Sequence, residues 1–321
     1  MIMEPIRVGV VGAGYLGRFH AEKYAALEST ELVGIVDVDL ERAEELADKL
    51  GAKPFTSCAE LFGEVDAVSV VTPTETHFAI TRELLSRGID VLLEKPMTST
   101  VAEADELVAI AEKHGAILQI GHLERFNAAV VALEGKDVAP LFIESDRLSP
   151  FPNRGSDVDV ILDLMIHDID IILNLVDAEV ESVEAVGVPV VTDKADIANA
   201  RLQFENGCVA NVTASRVSNM AVRKTRLFQP DEYVSIDYAA QKIAIFRREN
   251  GAEGIPRVVE EDITIERQDA LMEEIRAFIA CVARREQPLV SGREGKRALV
   301  VAQQIQEAIR KSLERVASHF S

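Results

Sequence analysis

The chain has 321 residues, of which 48% are hydrophobic and 27% charged, and it carries a formal net charge of −20. This length exceeds one usual core of roughly 100–200 residues and predicts two domains. The acidic balance argues against nucleic acid as a partner, and no apolar run approaches the roughly 20 residues of a membrane helix, so we expect a cytoplasmic protein without membrane contact. The cysteines, Cys58, Cys208 and Cys281, are far apart, so neither a disulfide framework nor a metal site is predicted.

The first strand, turn and helix carry a dinucleotide-binding pattern. Residues 7–11 have the continuous apolar character of a buried strand and run directly into Gly12-Ala13-Gly14-Tyr15-Leu16-Gly17, which matches G-x-G-x-x-G. In this pattern Gly12 permits the tight turn, Gly14 lets a pyrophosphate approach the backbone, and Gly17 lets helix and strand pack closely. The N-terminus of the following helix offers N–H groups and the positive end of a dipole to the phosphates.

An acidic residue follows the second predicted strand, residues 32–36. Asp37 stands twenty positions beyond Gly17, a spacing at which a carboxylate binds the adenosine ribose hydroxyls. The carboxylates of Asp37 and Asp39 would repel a 2′-phosphate, even with Arg42 nearby. The sequence therefore predicts NAD rather than NADP as the cofactor.

Strands and helices continue to alternate up to residue 122. We expect strands over 53–55, 67–71, 90–94 and 117–120 and helices over 41–50, 75–86 and 100–114. This alternation predicts an α/β domain, with a doubly wound parallel Rossmann sheet, over residues 1–122. The residues at its strand ends, which we expect on the ligand-binding edge, are Gly12, Gly14, Thr72, Pro73, Lys95 and His122.

One of these strands ends in Glu94-Lys95-Pro96. Pro96 cannot donate a backbone hydrogen bond and holds φ near about −65°, so it ends the strand sharply. Lys95 is then expected to face a cleft at the sheet edge instead of a neighbouring strand. Taken alone, the tripeptide also fits an ordinary strand exit with a solvated lysine.

The pattern changes after Leu123. We expect a helix over 124–133, a strand over 141–149, a long helix over 158–176, and strands over 180–190, 198–204, 209–215, 226–228, 234–238 and 242–246. Consecutive strands without crossover helices imply an antiparallel sheet, so residues 123–321 are predicted to form an α+β domain with a mostly antiparallel open sheet. Apolar stripes mark two closing helices, 270–285 and 294–316, and we expect the last one to pack back on the first domain.

A polar stripe runs along the predicted helix 158–176. Its members, at helical spacing, are Asp159, Asp163, His167, Asp170 and Asn174. Such a stripe faces either solvent or an enclosed polar site, and short acids with a single histidine favour the site. Asp163 stands one turn before His167, where its carboxylate can orient the imidazole for acid–base work.

These separated motifs together resemble the Gfo/Idh/MocA family of nicotinamide-dependent sugar and polyol oxidoreductases. The resemblance rests on the glycine turn, Glu94-Lys95-Pro96, Gly121-His122 with Arg125-Phe126, and Asp163-x-x-x-His167. It implies that Lys95 and His167 are the catalytic pair beside the transferred hydride, and that Asp163 holds the substrate hydroxyl or orients His167. The residues that it implies for NAD binding are Gly12, Gly14, Tyr15, Leu16, Gly17, Asp37, Thr72, Pro73, His77, Glu94, Lys95 and His122. The family often has asparagine where His122 stands.

Within the family, segments 121–127 and 162–168 are similar to the branch that oxidises the 3-hydroxyl of UDP-N-acetylglucosamine, for example in lipid A precursor synthesis. A nucleotide sugar needs cationic partners for its diphosphate. The implied substrate-binding residues are Lys95, Arg125, Phe126, Arg147, Arg154, Asp163, His167 and Arg216.

Two other interpretations stay open. The first keeps the mechanism and changes the substrate to inositol, a free sugar or another nucleotide sugar. The second is a non-catalytic NAD-binding sensor, against which the intact Lys95, Asp163 and His167 argue. In either case the family commonly pairs its second-domain sheets between subunits, which implies a homodimer or homotetramer.

Overall fold

The computed structural model describes residues 4–133, 135–136, 138–151, 158–250 and 256–320. These residues form two compact units. The first comprises the chain up to Leu123 together with Asp269–Lys296, and the second comprises Glu124–Gln268 together with the chain from Arg297. The predicted boundary after residue 122 lies next to this division, whereas Asp269–Lys296, predicted in the second domain, belongs to the first unit. None of the helices in the described ranges is long and apolar enough to cross a membrane.

The first unit is built on a six-stranded sheet whose strands are all parallel. Its strands are β1 (Ile6–Val11), β2 (Thr30–Val36), β3 (Lys53–Phe55), β4 (Ala67–Val70), β5 (Asp90–Glu94) and β6 (Leu118–Gly121). Its helices are α1 (Tyr15–Ala26), α2 (Leu40–Leu50), α3 (Thr74–Leu85), α4 (Val101–His114) and α7 (Ala270–Arg284). The strand order is β3-β2-β1-β4-β5-β6, which reverses direction between β1 and β4. This is the predicted doubly wound Rossmann sheet, with its topological switch point beside the glycine turn.

Capping residues determine where the helices of this unit begin and end. Asp39 caps α2 by accepting the N–H of Arg42, and Thr100 forms a capping box with Glu103 at the start of α4. Helix α4 ends at Gly115, which adopts a left-handed φ of 64°.

Helix α7 belongs to the first unit because of its apolar face. Ile275, Phe278 and Ile279 are buried in one core with Val8 and Leu92 of the parallel sheet. Sequence position alone placed this helix in the second domain, since it follows the antiparallel strands. Periodicity identified its buried stripe but carried no information about which core receives the stripe.

The second unit contains an eight-stranded sheet of order β14-β13-β12-β11-β7-β10-β9-β8, in which only β7 and β10 pair in parallel among the described strands. Its strands are β7 (Phe142–Leu148), β8 (Val180–Val188), β9 (Ile197–Phe204), β10 (Val209–Ser215), β11 (Val222–Gln229), β12 (Glu232–Asp237), β13 (Lys242–Asn250) and β14 (Pro256–Ile263). Its helices are α5 (Ala128–Val131), α6 (Ile166–Leu175) and most of α8 (Gly292–Phe320). The mostly antiparallel sheet was predicted; the charged edge strand β14 was not.

Most of the C-terminal helix belongs to the second unit. Ala298, Ala302, Ile305 and Ile309 of α8 lie in the core of the second unit, with residues of α6 and of the antiparallel sheet. Only its first residues, up to Lys296, group with the first unit.

A buried ion pair closes the connection between β8 and β9. The Arg216 guanidinium donates to Asp196 Oδ1 at 2.9 Å and to the carbonyl of Val158 at 2.7 Å. Asp196 Oδ2 accepts the N–H groups of Val190, Val191 and Thr192 at 2.6–2.8 Å. Although burial alone raises the pKa of Asp196, these N–H groups, the Thr192 hydroxyl and Arg216 hold it well below its ordinary value.

We expect Asp196→Asn to destabilise the protein by roughly 3–5 kcal/mol at pH 7, because it leaves Arg216 buried without its counter-ion. A carboxyl whose pKa is lowered by folding stabilises the native state above the unfolded pKa of about 3.9, and the contribution disappears as the pH falls towards the folded value. Urea unfolding should therefore show a wild-type advantage that is full at pH 7 and shrinks below about pH 4.

Glu249→Gln is the matched control, since it breaks an exposed pair with Arg257 at 2.8 Å and should cost at most about 1 kcal/mol. Equal losses in the two variants would contradict the structural role of the buried pair.

Candidate active site

The glycine turn between β1 and α1 has the geometry that its sequence pattern predicts. Gly12 adopts a φ of 103°, and a Cβ there would lie 2.3 Å from the carbonyl oxygen of Val71. A Cβ on Gly17 would lie 1.7 Å from the Gly12 carbonyl oxygen, so only glycine lets α1 pack this close. A Cβ on Gly14 would meet nothing within 4 Å. The turn therefore leaves open space at the N-terminus of α1, where a pyrophosphate can meet N–H groups.

Asp37 is tied to this turn. Its buried carboxylate accepts the N–H of Ala13 through Oδ2 at 2.8 Å and the N–H of Asp39 through Oδ1 at 3.0 Å. Arg42 Nη1 lies 3.8 Å from Asp37 Oδ1. The acid is thus held beside the phosphate turn, as ribose binding requires.

A cavity of about 520 Å³ opens beside the turn. Its lining includes three cations that motif analysis did not assign: Arg18, Arg42 and Lys49. Each of them has an acidic neighbour, since Lys49 and Arg18 contact Glu22 at 2.7 and 3.9 Å and Arg42 contacts Asp37. The charges of this cavity are therefore mutually compensated.

His77 connects the ends of β4 and β5. Its Nδ1 lies 2.9 Å from the carbonyl oxygen of Pro96, and its Nε2 lies 2.8 Å from that of Thr72. Burial lowers the pKa of His77. A neutral imidazole carries one N–H, so the ring donates a hydrogen bond to one of these carbonyls and contacts the other, beside the predicted cofactor edge.

Glu94 and Lys95 differ in their surroundings. Glu94 is buried, with Oε1 at 3.2 Å from His20 Nε2 and Oε2 accepting the N–H of Lys95 at 3.1 Å. Lys95 is half-buried at the carboxyl end of β5. His122, which follows β6, is buried.

His20 is a residue that the motif analysis missed. It lies on the inward face of α1 with Gly17, Ala21 and Tyr24. The sequence shows this histidine at the same helical spacing as small and aromatic core residues, which indicates that its imidazole is buried. A buried imidazole needs a polar partner.

The predicted helix 158–176 begins with a π-helical turn. Residues Ile161–Met165 form this turn, in which the N–H of Ile166 donates to the carbonyl of Ile161 five residues back, and α6 follows. Asp163 lies in the π turn and is half-buried, while His167 lies in the first turn of α6 and is buried. Single π turns inside helices are frequent at functional sites.

The five polar residues of the predicted stripe lie in different environments. Asp159 caps the helix by accepting the N–H groups of Ile161 and Leu162 and also accepts from Gln306 at 2.7 Å. Asp170 is buried 3.7 Å from Arg125, and Asn174 is exposed. The five residues therefore do not form a single stripe that faces solvent.

Arg147 sits in a buried network of the second unit. Its guanidinium donates to both oxygens of Asp168, at 2.7 and 3.0 Å, and to Glu124 at 2.9 Å. Burial lowers the pKa of Arg147, but the charges of Asp168 and Glu124 outweigh it and raise that pKa. The ring of Tyr238 lies 5.5 Å away. Alternation along β7 places Arg147 on the inner face with Ile143 and Ser145, a signal that the sequence contained.

The four candidate arginines therefore differ. Arg147 and Arg216 direct their guanidinium groups to the protein's own oxygens, which weighs against a diphosphate role for either. Arg125 is buried beside Asp170, next to the buried Phe126. Arg154 lies outside the described residues. Among the described residues, no group of three or more acidic, histidine or cysteine side chains is arranged to hold a metal ion.

Comparison with known proteins accounts for both units. Residues 6–122 match the GFO_IDH_MocA oxidoreductase family with its NAD-binding Rossmann fold, and residues 139–228 match the GFO/IDH/MocA C-terminal domain. UDP-N-acetylglucosamine 3-dehydrogenase of Acidithiobacillus ferrooxidans is 43% identical over 98% of this chain and 100% of its own length. Myo-inositol 2-dehydrogenase of Thermotoga maritima is 28% identical over 96% of both chains.

Solved structures show the same fold. The Acidithiobacillus ferrooxidans enzyme superimposes with a TM-score of 0.91 over 96% of this chain and 98% of its own. Levoglucosan dehydrogenase in complex with NADH superimposes with a TM-score of 0.86 over 96% of this chain and 98% of its own, at 17% identity. The glycine turn, the strand-end lysine and the two domain matches together establish that this chain belongs to the Gfo/Idh/MocA family of oxidoreductases, with an NAD-binding Rossmann domain.

Proposed function

We propose that this protein oxidises the 3-hydroxyl of UDP-N-acetylglucosamine to the 3-keto sugar, with NAD⁺ as the hydride acceptor. The observation that carries the proposal is the 43% identity to an enzyme of that name, which extends over 98% of this chain. The identity to a myo-inositol 2-dehydrogenase of similar coverage is 28%. The match to the nucleotide-sugar enzyme extends over 98% of this chain and therefore spans both units.

The residues described above divide the chemistry between them. Bound NAD⁺ supplies the acceptor for the hydride that leaves the sugar carbon. The hydroxyl proton must leave at the same time, and His167 is our candidate for the base because an imidazole accepts protons at neutral pH. Asp163, one turn earlier, orients the imidazole or accepts a hydrogen bond from the substrate.

Lys95 has two roles that fit its chemistry. As an amine it is an alternative base for the hydroxyl proton. As a cation it stabilises the negative charge that develops on the sugar oxygen while the hydride departs. Both roles require the ammonium or amine to stay at the carboxyl end of β5, beside the cofactor edge.

A substrate panel tests the proposed reaction. With NAD⁺ and UDP-N-acetylglucosamine we expect NADH absorbance to rise, whereas kcat/KM for myo-inositol and for N-acetylglucosamine should be lower by at least ~100-fold. NADP⁺ should be at least ~10-fold poorer than NAD⁺, because the Asp37 carboxylate repels a 2′-phosphate. Turnover of myo-inositol without turnover of the UDP-sugar would overturn the substrate assignment.

Side-chain variants test the roles of Lys95 and His167. Lys95→Ala and His167→Ala should each lower kcat by about 10²–10⁴-fold, the usual contribution of a proton-transfer or charge-stabilising group. NADH binding, followed by fluorescence, should change little in either variant. Near-normal turnover in one variant would reject the role of that residue.

Lys95→Arg separates the two roles of the lysine. Arginine keeps the positive charge but does not accept a proton near neutral pH. Activity well above that of Lys95→Ala would therefore assign the electrostatic role, and activity equal to it would assign the base.

We further infer that the outer face of the second-unit sheet pairs with a second copy of this chain. An aromatic ladder crosses that face, with ring centroids 5.8 Å apart for Phe142 and Phe228, 5.4 Å for Phe228 and Tyr233, and 4.3 Å for Tyr233 and Phe246. The ladder residues are half-buried, on the side opposite the inward-facing Leu227. A ladder of half-buried aromatic rings on the outer face of an open sheet is typical of an interface between subunits, and a self-complementary sheet face gives a two-fold dimer.

Analytical ultracentrifugation tests this inference. The wild type should sediment as a dimer or tetramer, and Tyr233→Lys should shift it towards the monomer because a charge would be buried in the interface. Leu289→Lys, at an exposed position of the first unit, is the control and should leave the mass unchanged. A monomeric wild type would refute the dimer.

A further inference from the structure

A chain of buried hydrogen bonds lies beneath the carboxyl ends of β4 and β5. Tyr24 Oη lies 2.8 Å from Ser69 Oγ, and Ser69 Oγ lies 3.1 Å from His20 Nδ1. His20 Nε2 lies 3.2 Å from Glu94 Oε1, and Glu94 Oε2 accepts the N–H of Lys95 at 3.1 Å. The four side chains that form these hydrogen bonds are all buried, so the bonds form without competition from solvent.

The direction of the hydrogen bond between His20 and Glu94 follows from the Glu94 end. An ionised carboxylate only accepts hydrogen bonds, so His20 Nε2 must carry a proton and donate a hydrogen bond to Glu94. His20 Nδ1 shares a hydrogen bond with the Ser69 hydroxyl, and the Ser69 and Tyr24 hydroxyls share the next one.

Two neighbours restrict the position of the Glu94 carboxylate. A Cβ on Gly121 would lie 3.0 Å from Glu94 Cδ, so the glycine provides the room for the carboxylate. Although burial alone raises the pKa of Glu94, the hydrogen bond and charge of His20, with Lys95, hold it below its ordinary value. Among the described residues, Glu94 is therefore an anion held by the side chain of His20 and the backbone N–H of Lys95.

Glu274 of α7 completes the surroundings. Its carboxyl is fully buried, and neither oxygen has a hydrogen-bond partner among the described residues. Burial and the charge of Glu94 raise the pKa of Glu274 well above its ordinary value. Glu274 is thus held as the neutral acid, and the cluster keeps a single carboxylate, which is Glu94.

We propose that His20 is a positioning residue for Lys95. The imidazole holds the Glu94 carboxylate, and that carboxylate holds the backbone N–H of Lys95, so α1 determines where the strand-end amine lies. Among the described polar side chains, only that of His20 contacts both the Glu94 carboxylate and the Ser69 hydroxyl. The expected effect on kcat rests on the proposed dehydrogenase reaction, whereas the positioning of Lys95 does not.

Three variants separate positioning from general packing. His20→Phe removes the donor to Glu94 and should lower kcat by about 10–100-fold, the cost of misplacing a catalytic group, while KM for NAD⁺ and the NADH dissociation constant change less than ~3-fold. His20→Gln places an amide donor near the position of Nε2 and should recover most of kcat. Ser69→Ala keeps the His20–Glu94 contact and removes only the next link, so its loss should be smaller than that of His20→Phe.

Glu274→Gln is the matched control. It alters the same cluster without touching the His20–Glu94 contact and replaces a neutral acid by a neutral amide, so kcat should stay near the wild-type value. A loss in Glu274→Gln equal to that in His20→Phe would overturn the proposal, because any disturbance of the cluster would then suffice. Equal losses in His20→Phe and His20→Gln, together with lowered unfolding temperatures, would assign a purely structural role and overturn it as well.

A readout that needs no substrate separates this proposal from the proposed reaction. The Lys95 amine can be acylated in the protein without cofactor and its labelling rate followed by peptide mass spectrometry. His20→Phe should raise that rate at least ~3-fold through loss of the backbone anchor, and His20→Gln should return it, while exposed Lys53 stays constant as the internal standard. If the wild type turned over none of the sugars, a raised labelling rate would still support the positioning role, and unchanged labelling in His20→Phe would overturn it.

Discussion

Around the candidate site, the buried charges that the structure describes lie beside partners of opposite sign, and this constraint organises their surroundings. Glu94 is buried against His20, and Arg147 is buried between Glu124 and Asp168. The desolvation of each ion is offset by its partner and by further hydrogen bonds, so removing one member leaves the other uncompensated. The charged residues near the site therefore fall into two sets: those sealed in such pairs, which hold the elements in place, and those such as Lys95 that are only half-buried.

The sequence predicts those parts of the site that depend on local spacing. The glycine turn, Asp37 and the strand-end Lys95 were all predictable, because each depends on residues close together in the chain or on one strand following another. A parallel sheet brings its strand ends to one edge regardless of side-chain detail. The Rossmann half of the fold and its ligand edge could therefore be derived from spacing alone.

Partnerships between distant residues were not predictable in this way. His20 meets Glu94 across 74 positions, and Arg216 meets Asp196 across 20. An arginine that binds a diphosphate and an arginine that neutralises a buried aspartate have the same local sequence signature, since only the three-dimensional partner differs. Helix α7 shows the same limit at the level of elements, because an apolar stripe specifies burial but not the core in which it is buried.

The π turn at Ile161–Met165 explains why the predicted polar stripe does not keep to one face of the helix. The predicted stripe assumed 3.6 residues per turn throughout, whereas the extra residue of a π turn rotates everything after it by about 100° relative to everything before it. Asp159 therefore turns to α8 and caps the helix, while Asp170 is buried beside Arg125. Asp163 lies in the irregular turn itself, and His167 lies in the first turn of α6 that follows it. A π turn has poorer hydrogen-bond geometry than an α-helical one, so its presence at the proposed orienting acid, directly before the turn of the proposed base, argues that their relative direction, not helix stability, is what this segment is built to maintain.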